Sequence, residues 1–452
     1  MTLIELDRET PLEVELGRRP PLAHHRRTGL LLAVALLAVL GGGVPATGMC
    51  WRLLGVITTE EFPDGQVQMT GGQIYTVDTT DDEPVVTAWA PGDGLTRLWS
   101  DRVPVAMAGD DNIAPVNSVS VRQSGEVVLL TAGFTTTAVD AATGRTRWTS
   151  PISVTVLAGN TTGVTVERVF RPGTEYDQDS GDPGPLYFTA TGEPHTEAPI
   201  RTEVRGIDLA SGGTLWTATP GGSVNVDMVA GEPAAVLITA SSRLTLRDLR
   251  TGAELRAAGL PKLDGKGPSS GTLLGDVALV RYEDAAGQIA YDARTLTRLW
   301  RGGSADAVPA DPVDCENLLC DGAHGDVRVL DPRTGRTRWR VQEDVDLTAR
   351  AGYVLETDAA SGEPVRLADV RTGVVRADLT GWTGDVPGTA DQPLLLWRAG
   401  KAGTRIFAVV TPGHPEIQRL GTAAKGLDDC DSDGNFVLCR SATGLRVWAY
   451  RI

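Results

Sequence analysis

The stretch "DPRTGRTRW", Asp331–Trp339, joins the residues of a tight turn to the residues of a strand. An Asp carboxylate can accept backbone N–H groups two residues further on, and a Thr-Gly step suits a turn that needs a positive φ. The residues from the second Arg to the tryptophan favour a strand. We therefore interpret this stretch as a hairpin. Copies begin with "DAATGRTRW" at Asp140, "DLASGGTLW" at Asp208, "DLRTGAELR" at Asp248, "DARTLTRLW" at Asp292 and "DVRTGVVRA" at Asp369, and weaker copies are "PGDGLTRLW" (Pro91–Trp99) and "RSATGLRVW" (Arg440–Trp448).

The spacing of the copies indicates a repeat architecture. From Asp140 onward the aspartates lie 68, 40, 44, 39 and 38 residues apart. A period near 40 predicts one supersecondary unit that is copied many times. Segments with period-two alternation, such as "EVVLLTAG" and "TTTAVD", precede the hairpin, and no segment after residue 52 shows a sustained helical period. A four-stranded sheet cannot bury both of its faces, whereas a ring of such sheets can.

The sequence therefore predicts an all-β fold, a propeller of four-stranded antiparallel blades. Counting hairpins gives eight or nine, and we predict eight blades, with seven as the alternative. "LRVWAYRI" at the C-terminus and the strand near residues 52–60 should share the closing blade. Three joints should be weakened, because Arg256 and Ala377 replace the tryptophan and Leu296 replaces the glycine. The tryptophans predicted to dock neighbouring blades are Trp99, Trp148, Trp216, Trp300, Trp339 and Trp448.

An apolar segment precedes the repeats. Residues 28–51 carry no charge and match the length of a helix that spans a bilayer. "HHRR" comes before the segment and acidic residues follow it, so the positive-inside rule predicts a cytoplasmic tail (1–27), a transmembrane signal anchor (28–51) and an extracellular ectodomain (52–452) on a single-pass cell-membrane protein. Trp51 would sit at the membrane interface. A cleaved signal peptide is the alternative interpretation.

The chain has five cysteines, and four of them form two close pairs. We predict the disulfides Cys315–Cys320 and Cys430–Cys439, each facing across a hairpin, because such pairs persist in an oxidising compartment. Cys50 would stay unpaired. The alternative is one zinc site formed by the four thiolates, although their spacing is not that of a usual zinc knuckle.

Charge limits the classes of partner. The formal net charge is −16, and the five acidic residues and five arginines of residues 1–27 cancel, so the excess belongs to residues 52–452. An acidic surface repels phosphate backbones, which excludes nucleic acid as the expected partner. We expect the membrane, through the chain's own anchor, and a protein or another component of the cell envelope.

"AVDAATGRTRW" and "VLDPRTGRTRW" resemble the docking motif A-x-D-x-x-T-G-x-x-x-W of the pyrroloquinoline-quinone-like propellers, and the resemblance extends over residues 60–450. That superfamily includes quinoprotein alcohol dehydrogenases, an outer-membrane assembly lipoprotein and membrane-anchored propellers of high-GC Gram-positive bacteria. The last group is the most similar in its N-terminal anchor and local cysteine pairs. The resemblance implies the fold and does not imply a particular chemistry.

The sequence offers little support for catalysis. Quinoprotein dehydrogenases of the superfamily use a disulfide between adjacent cysteines, a calcium ion and an Asp base, and this chain has no Cys-Cys dipeptide. The five histidines belong to no G-x-S-x-G or H-E-x-x-H motif. "DCDSDG" places Asp429, Asp431 and Asp433 at the spacing of a calcium loop, but no closing carboxylate follows, and a hairpin with an Asp-Gly turn is the competing interpretation.

We therefore expect a non-catalytic binding or scaffold propeller without a cofactor. The alternatives are a quinoprotein-type dehydrogenase that uses pyrroloquinoline quinone and calcium, and a sensor that acts through a membrane partner. The longest interruption of the repeat, Arg171–Pro199, is the candidate recognition site, since loops on rigid rings commonly carry recognition. A solvated, partly disordered insertion is the alternative. Its acidic and aromatic residues are Glu175, Asp177, Asp179, Asp182, Glu193, Glu197, Phe170, Tyr176, Tyr187 and Phe188.

Overall fold

Antiparallel strands make up nearly all of the regular structure in the computed structural model of this chain. The predicted tail and nearly all of the predicted membrane segment lie outside the described residues. Within those residues, no helix is both long enough and apolar enough to cross a membrane. The structure describes residues 51–58, 65–78, 83–103, 119–157, 159–177, 186–222, 225–283, 287–302, 315–316, 318–323, 325–385 and 392–451.

The first three blades follow a strand that belongs to the closing blade, β1 (Arg52–Thr58). Blade 1 consists of β2 (Gly65–Thr70), β3 (Gln73–Asp78), β4 (Val85–Pro91) and β5 (Leu95–Arg102). Blade 2 consists of β6 (Val119–Ser124), β7 (Val127–Ala132), β8 (Thr135–Asp140) and β9 (Thr146–Ser150). Blade 3 begins with β10 (Thr155–Val156) and β11 (Thr162–Val169), continues through an inserted hairpin of β12 (Tyr187–Phe188) and β13 (Pro194–His195), and ends with β14 (Arg201–Asp208) and β15 (Thr214–Ala218).

The next three blades repeat the pattern with one irregularity. Blade 4 consists of β16 (Asn225–Val229), β17 (Ala235–Thr239), β18 (Arg243–Asp248) and β19 (Glu254–Gly259). Blade 5 consists of β20 (Pro268–Leu274), β21 (Val277–Tyr282), β22 (Gln288–Asp292) and β23 (Arg298–Gly302). The short strand β24 (Cys315–Glu316) precedes blade 6, whose described strands are β25 (Leu319–Ala323), β26 (Asp326–Leu330) and β27 (Thr337–Val341).

The last three blades close the ring. Blade 7 consists of β28 (Val345–Arg350), β29 (Tyr353–Asp358), β30 (Pro364–Asp369) and β31 (Val375–Asp378), and β24 adds to it in parallel with β28. Blade 8 consists of β32 (Thr383–Asp385), β33 (Leu394–Ala399), β34 (Arg405–Thr411) and β35 (His414–Ala423), with a 3-10 turn at Lys401–Gly403. Blade 9 consists of β36 (Leu427–Ser432), β37 (Phe436–Ser441) and β38 (Gly444–Ala449), and β1 supplies its fourth strand.

The propeller is confirmed, but the predicted blade number is wrong. The described strands form nine blades, not eight or seven. The hairpin at Thr411–His414 joins β34 to β35 in blade 8, and the first strand and the last three strands of the described residues build blade 9. The predicted sharing of the closing blade is confirmed, because β1 pairs with β38 from Arg52↔Ala449 to Thr58↔Gly444.

The hydrophobic core lies between blades. One cluster combines Val86 and Ala88 of blade 1 with Val128 and Leu130 of blade 2, and similar clusters fill other joints. Alternate residues of a strand point to opposite faces of its sheet, so each blade offers one apolar set to the blade before it and another to the blade after it.

Strand direction sorts the connections to two ends of the ring. Because successive strands of a blade are antiparallel, the turns between second and third strands lie at the end opposite the turns between third and fourth strands. We call these the loop end and the hairpin end. The inserted hairpin belongs to the loop end, since it joins β11 to β14. The described chain enters β1, a fourth strand, from the hairpin end.

Candidate functional site

The repeated hairpin is organised by its aspartate. In blade 2 the Asp140 carboxylate accepts hydrogen bonds from the Ala142 N–H at 3.1 Å, the Thr143 N–H at 3.0 Å and the Thr143 hydroxyl at 2.9 Å. The hydrogen bonds from Arg147 and then Thr143 lower the pKa of Asp140 to about 2. Gly144 has φ +70°, which an L side chain rarely adopts. The turn chemistry predicted from the sequence is therefore present.

In blades 1, 2, 3, 5 and 6 the tryptophan after the hairpin docks on the hairpin of the next blade. The Trp99 indole N–H donates to the Ala141 carbonyl at 2.9 Å, and its ring lies over Gly144, where a Cβ atom would come within 2.6 Å of the ring. The glycine is thus required by close approach as well as by φ. The same bond is made by Trp148 to Leu209 (2.8 Å), Trp216 to Leu249 (2.8 Å), Trp300 to Pro332 (2.8 Å) and Trp339 to Val370 (3.3 Å).

The alanine of the repeated phrase makes room for the tryptophan of its own blade. A register shift between the third and fourth strands, in which the fourth strand has one extra residue, places Trp99 opposite Ala88. In the next two blades the residues opposite the tryptophan are Ala138 and Gly206. Large and small side chains therefore alternate across this pair, as close packing requires. These docking residues are repeated around the ring, so they serve its stability and offer no single binding site.

Trp448 differs from the other five predicted docking residues. It lies in β38, the third strand of blade 9, opposite Leu53 and Val437, and no next-blade hairpin receives it. It is buried at the joint of blades 8 and 9. The copy "RSATGLRVW" is consequently a turn between second and third strands, because Ser441 pairs with Gly444.

Trp51 fills the docking position at this joint. Its indole N–H donates to the Thr422 carbonyl at 3.1 Å, and its ring lies against Gly421 and stacks on Trp448 with centroids 5.5 Å apart. Gly421 occupies the place in β35 that the docking tryptophan takes elsewhere, opposite Phe407. Trp51 is the last residue of the predicted membrane segment, and here it packs within the ring.

Two of the expected weak points belong to one joint and compensate each other. Arg256 of blade 4 would have docked on the hairpin of blade 5, where Leu296 stands in place of the glycine. Leu296 has φ +55° and is 5% exposed, and it packs in the core between these two blades. Arg294 of the same hairpin also donates to the Pro233 carbonyl at 2.6 Å and to the Val229 carbonyl at 3.4 Å. This joint is therefore filled by a different set of contacts from those of the regular joints.

At two further joints, a small residue occupies the position that the docking tryptophan takes elsewhere. At the closing joint Gly55 takes the tryptophan position, and Leu95 of blade 1 packs against it. In blade 7, Ala377 lies opposite the large residue Leu367 instead of a small one.

Both predicted disulfides are confirmed. Cys430 and Cys439 are direct cross-strand partners in blade 9, with Cα atoms 4.1 Å apart. Cys315 and Cys320 are bonded as well, which excludes a zinc site formed by these four thiolates. The expectation that each pair faces across a hairpin is wrong for Cys315–Cys320. Because β24 joins blade 7 while Cys320 lies in blade 6, this disulfide links two blades.

The candidate calcium residues are not gathered around one point. Asp433 accepts the N–H groups of Asn435 at 2.9 Å and Phe436 at 3.0 Å, so it organises the turn between β36 and β37. Asp429 is exposed and lies 3.7 Å from Arg440, while Asp431 accepts the N–H of the next residue. In the part of the chain that the structure describes, no three His, Cys, Asp or Glu side chains are placed to hold a metal ion. Among the described residues, these three aspartates therefore do not form the carboxylate cluster that the calcium ion of a quinone site would need.

The inserted hairpin of blade 3 has an ordered base. The rings of Phe170 and His195 stack with centroids 4.0 Å apart, and the Thr174 hydroxyl lies 3.1 Å from His195 Nδ1. Because that hydroxyl donates to the Arg171 carbonyl at 2.9 Å, His195 Nδ1–H is the donor to Thr174. Arg171 also pairs with Glu197 at 3.4 Å. The described part of the insertion is therefore a folded element; residues 178–185, which include Asp179 and Asp182, lie outside the described residues.

The insertion packs on a neighbouring blade and exposes apolar side chains. Gly192 lies against Phe134, which belongs to the loop end of blade 2. Phe188 is 49% exposed and Ile200 is 60% exposed, and Leu186 is exposed as well. The sequence had singled out the aromatic and acidic residues of this stretch, but it carried no signal for the Phe134 contact, which joins residues of different blades.

The described residues form a nine-bladed β-propeller, and blade 3 carries an inserted hairpin. Residues 201–377 match the family described as "Outer membrane protein assembly factor BamB". The predicted resemblance to pyrroloquinoline-quinone-like repeats is thereby confirmed for residues 201–377. No curated protein matches the sequence.

Several solved structures are similar to this chain at low sequence identity. BamB from Moraxella catarrhalis is 16% identical with a TM-score of 0.37, and the match covers 88% of this chain and 100% of that one. A eukaryotic initiation factor is 11% identical with a TM-score of 0.48, covering 86% and 96%. The dihydro-heme d1 dehydrogenase NirN is 11% identical with a TM-score of 0.42, covering 87% and 85%. None of these similarities assigns an activity to this chain.

Proposed function

We propose that this chain is a non-catalytic binding or scaffold propeller, tethered to the membrane by its N-terminal segment and exposed outside the cell. The repeats of the BamB type support a binding role. The observation that carries the proposal is the blade 3 insertion, a folded element that breaks the repeat and exposes apolar side chains at the loop end.

The insertion has the surface chemistry of a recognition element. Phe188, Leu186 and Ile200 supply exposed apolar area, and the acidic residues Glu175 and Glu193 lie on the same hairpin. Protein interfaces combine aromatic contacts with a polar rim, and the acidic rim favours a partner segment that carries both basic and apolar residues.

The test compares two exposed apolar positions in blade 3. A photoreactive phenylalanine analogue is placed at Phe188 or at Leu215, which is 47% exposed and lies on β15 near the hairpin end. Crosslinking in intact source cells should yield a defined adduct from position 188 and not from position 215. The substitution Ile200→Asp should remove that adduct without lowering the melting temperature, since the side chain is exposed.

Identical adducts from both positions, or no adduct from position 188, would refute the insertion as the recognition element. An adduct that survives Ile200→Asp would show that the partner does not bind the exposed apolar surface around Ile200.

A further inference from the structure

A pocket of about 390 Å³ opens between blades 3 and 4 at the loop end of the ring. Its floor is apolar and includes Ala218 and Ile238. Its walls carry four hydroxyl groups and two guanidinium groups. They belong to Thr217, Thr219, Ser242, Thr245, Arg243 and Arg247.

The arginines point into this joint because of strand alternation. Leu244 and Leu246 of β18 belong to the core shared with blade 5, so the residues between and beside them face blade 3. Arg243 and Arg247 therefore lie on the same side of the strand, two positions apart on that face.

Two third-strand arginines in other blades, by contrast, each lie near two carboxylates. Arg205 of blade 3 lies 2.6 Å from Glu203 and 2.9 Å from Glu167. Arg366 of blade 7 lies 2.7 Å from both Glu356 and Glu343. Structural ion pairs of this kind leave no positive charge for a ligand.

In blade 4 the balance is reversed, because two arginines share one carboxylate. Glu254 lies 2.8 Å from Arg243 and 3.7 Å from Arg247. The residues that line the pocket include no acidic side chain. The site therefore carries about one net positive charge in a chain whose formal charge is −16. In a protein so acidic, local positive charge beside a row of hydroxyl groups is a feature of a site and not of the surface as a whole.

We propose that this pocket binds a small hydroxyl-rich anion, such as a sugar that carries a phosphate or a carboxylate group. The guanidinium groups hold the oxyanion, since Arg matches phosphate and carboxylate geometry. The threonine and serine hydroxyl groups hydrogen-bond the hydroxyl groups of the ligand. The pocket is separate from the exposed apolar surface of the insertion, so it adds to the proposed function.

The probes are glucose 6-phosphate, glucuronate and glucose, which share one ring and differ in charge. Titration calorimetry with the purified full chain should detect binding of at least one of the two anions, and their ranking separates phosphate from carboxylate as the preferred group. Glucose should bind at least about tenfold more weakly, because charge-assisted hydrogen bonds supply much of the affinity. Glucose binding as well as both anions, or no binding of either anion, would overturn the proposal.

A charge series tests the site itself. Arg243→Gln removes the net positive charge and should weaken binding of the preferred anion about tenfold, while Glu254→Gln adds positive charge and should strengthen it. Arg336→Gln removes an equal charge from the exposed hairpin of blade 6 and should leave binding unchanged. A merely structural role would not move the two pocket variants in opposite directions. Shifts in the same direction, or an equal effect of the blade 6 variant, would contradict the proposal.

Discussion

Converting one regular joint into the irregular form gives a sharp test of how the ring is held. The joint of blades 1 and 2 uses Trp99 and Gly144, whereas the joint of blades 4 and 5 uses Arg256 and Leu296. We predict that Trp99→Ala and Gly144→Leu are far from additive, because each removes the same interaction. In the double variant, the leucine should partly fill the space that the indole leaves, as Leu296 packs in its own joint.

The magnitudes follow from the geometry. Trp99 is nearly buried and donates a 2.9 Å hydrogen bond, so Trp99→Ala should cost about 3–5 kcal/mol of unfolding free energy. A Cβ at position 144 would lie 2.6 Å from the ring, so Gly144→Leu should expel the indole and add about 1 kcal/mol or more for its left-handed φ. The double variant should fall short of the sum of the single costs by at least about 2 kcal/mol.

Urea unfolding, followed by tryptophan fluorescence and circular dichroism, measures the three variants and the parent. The matched control combines Trp99→Ala with Gly252→Leu, which affects the joint of blades 3 and 4 instead. That pair should be nearly additive, since the two sites share no partner. Additive costs for Trp99→Ala and Gly144→Leu would refute the view that the glycine exists to receive this indole.

Further predictions concern charge, covalent links, topology and chemistry. The pKa of Asp369 is lowered to about 2, chiefly by Arg376, so its contribution is present above pH 4 and is lost as the pH falls toward 2. Asp369→Asn should therefore flatten the fall of the urea midpoint between pH 5 and pH 2.5. Peptide mapping without reduction should show both disulfides and an unpaired Cys50; free thiols in the ring would contradict this. Protease added to intact cells should remove the propeller and spare the N-terminal tail. A propeller that is protected from the protease would contradict the predicted topology. Supplying pyrroloquinoline quinone, Ca²⁺ and an artificial electron acceptor should give no turnover of alcohols or sugars, and turnover would refute a non-catalytic role.

The sequence alone determined the blade as a unit. The hairpin around Asp140 depends on contacts within a few residues, so its turn can be predicted from residues that are adjacent in the sequence. The tryptophan spacing and the period near 40 then predict a propeller, and the position of Cys430 and Cys439 predicts a disulfide. It also singled out the insertion, because an interruption is visible once the period is known.

Only the tertiary structure decided the number of blades and how the irregular joints are filled. Trp51 and Thr422 are 371 residues apart, and no local sequence pattern predicts that Trp51 packs at the joint of blades 8 and 9. From the sequence, Leu296 is only a loss of the turn glycine, because the residues that it packs against belong to the neighbouring blade. Likewise, the positive pocket depends on which carboxylates reach Arg243 and Arg247, and charge pairing between strands is set by register. Close packing and charge pairing depend on which residues touch. When the touching residues are far apart in the chain, the spacing of the sequence does not show the contact.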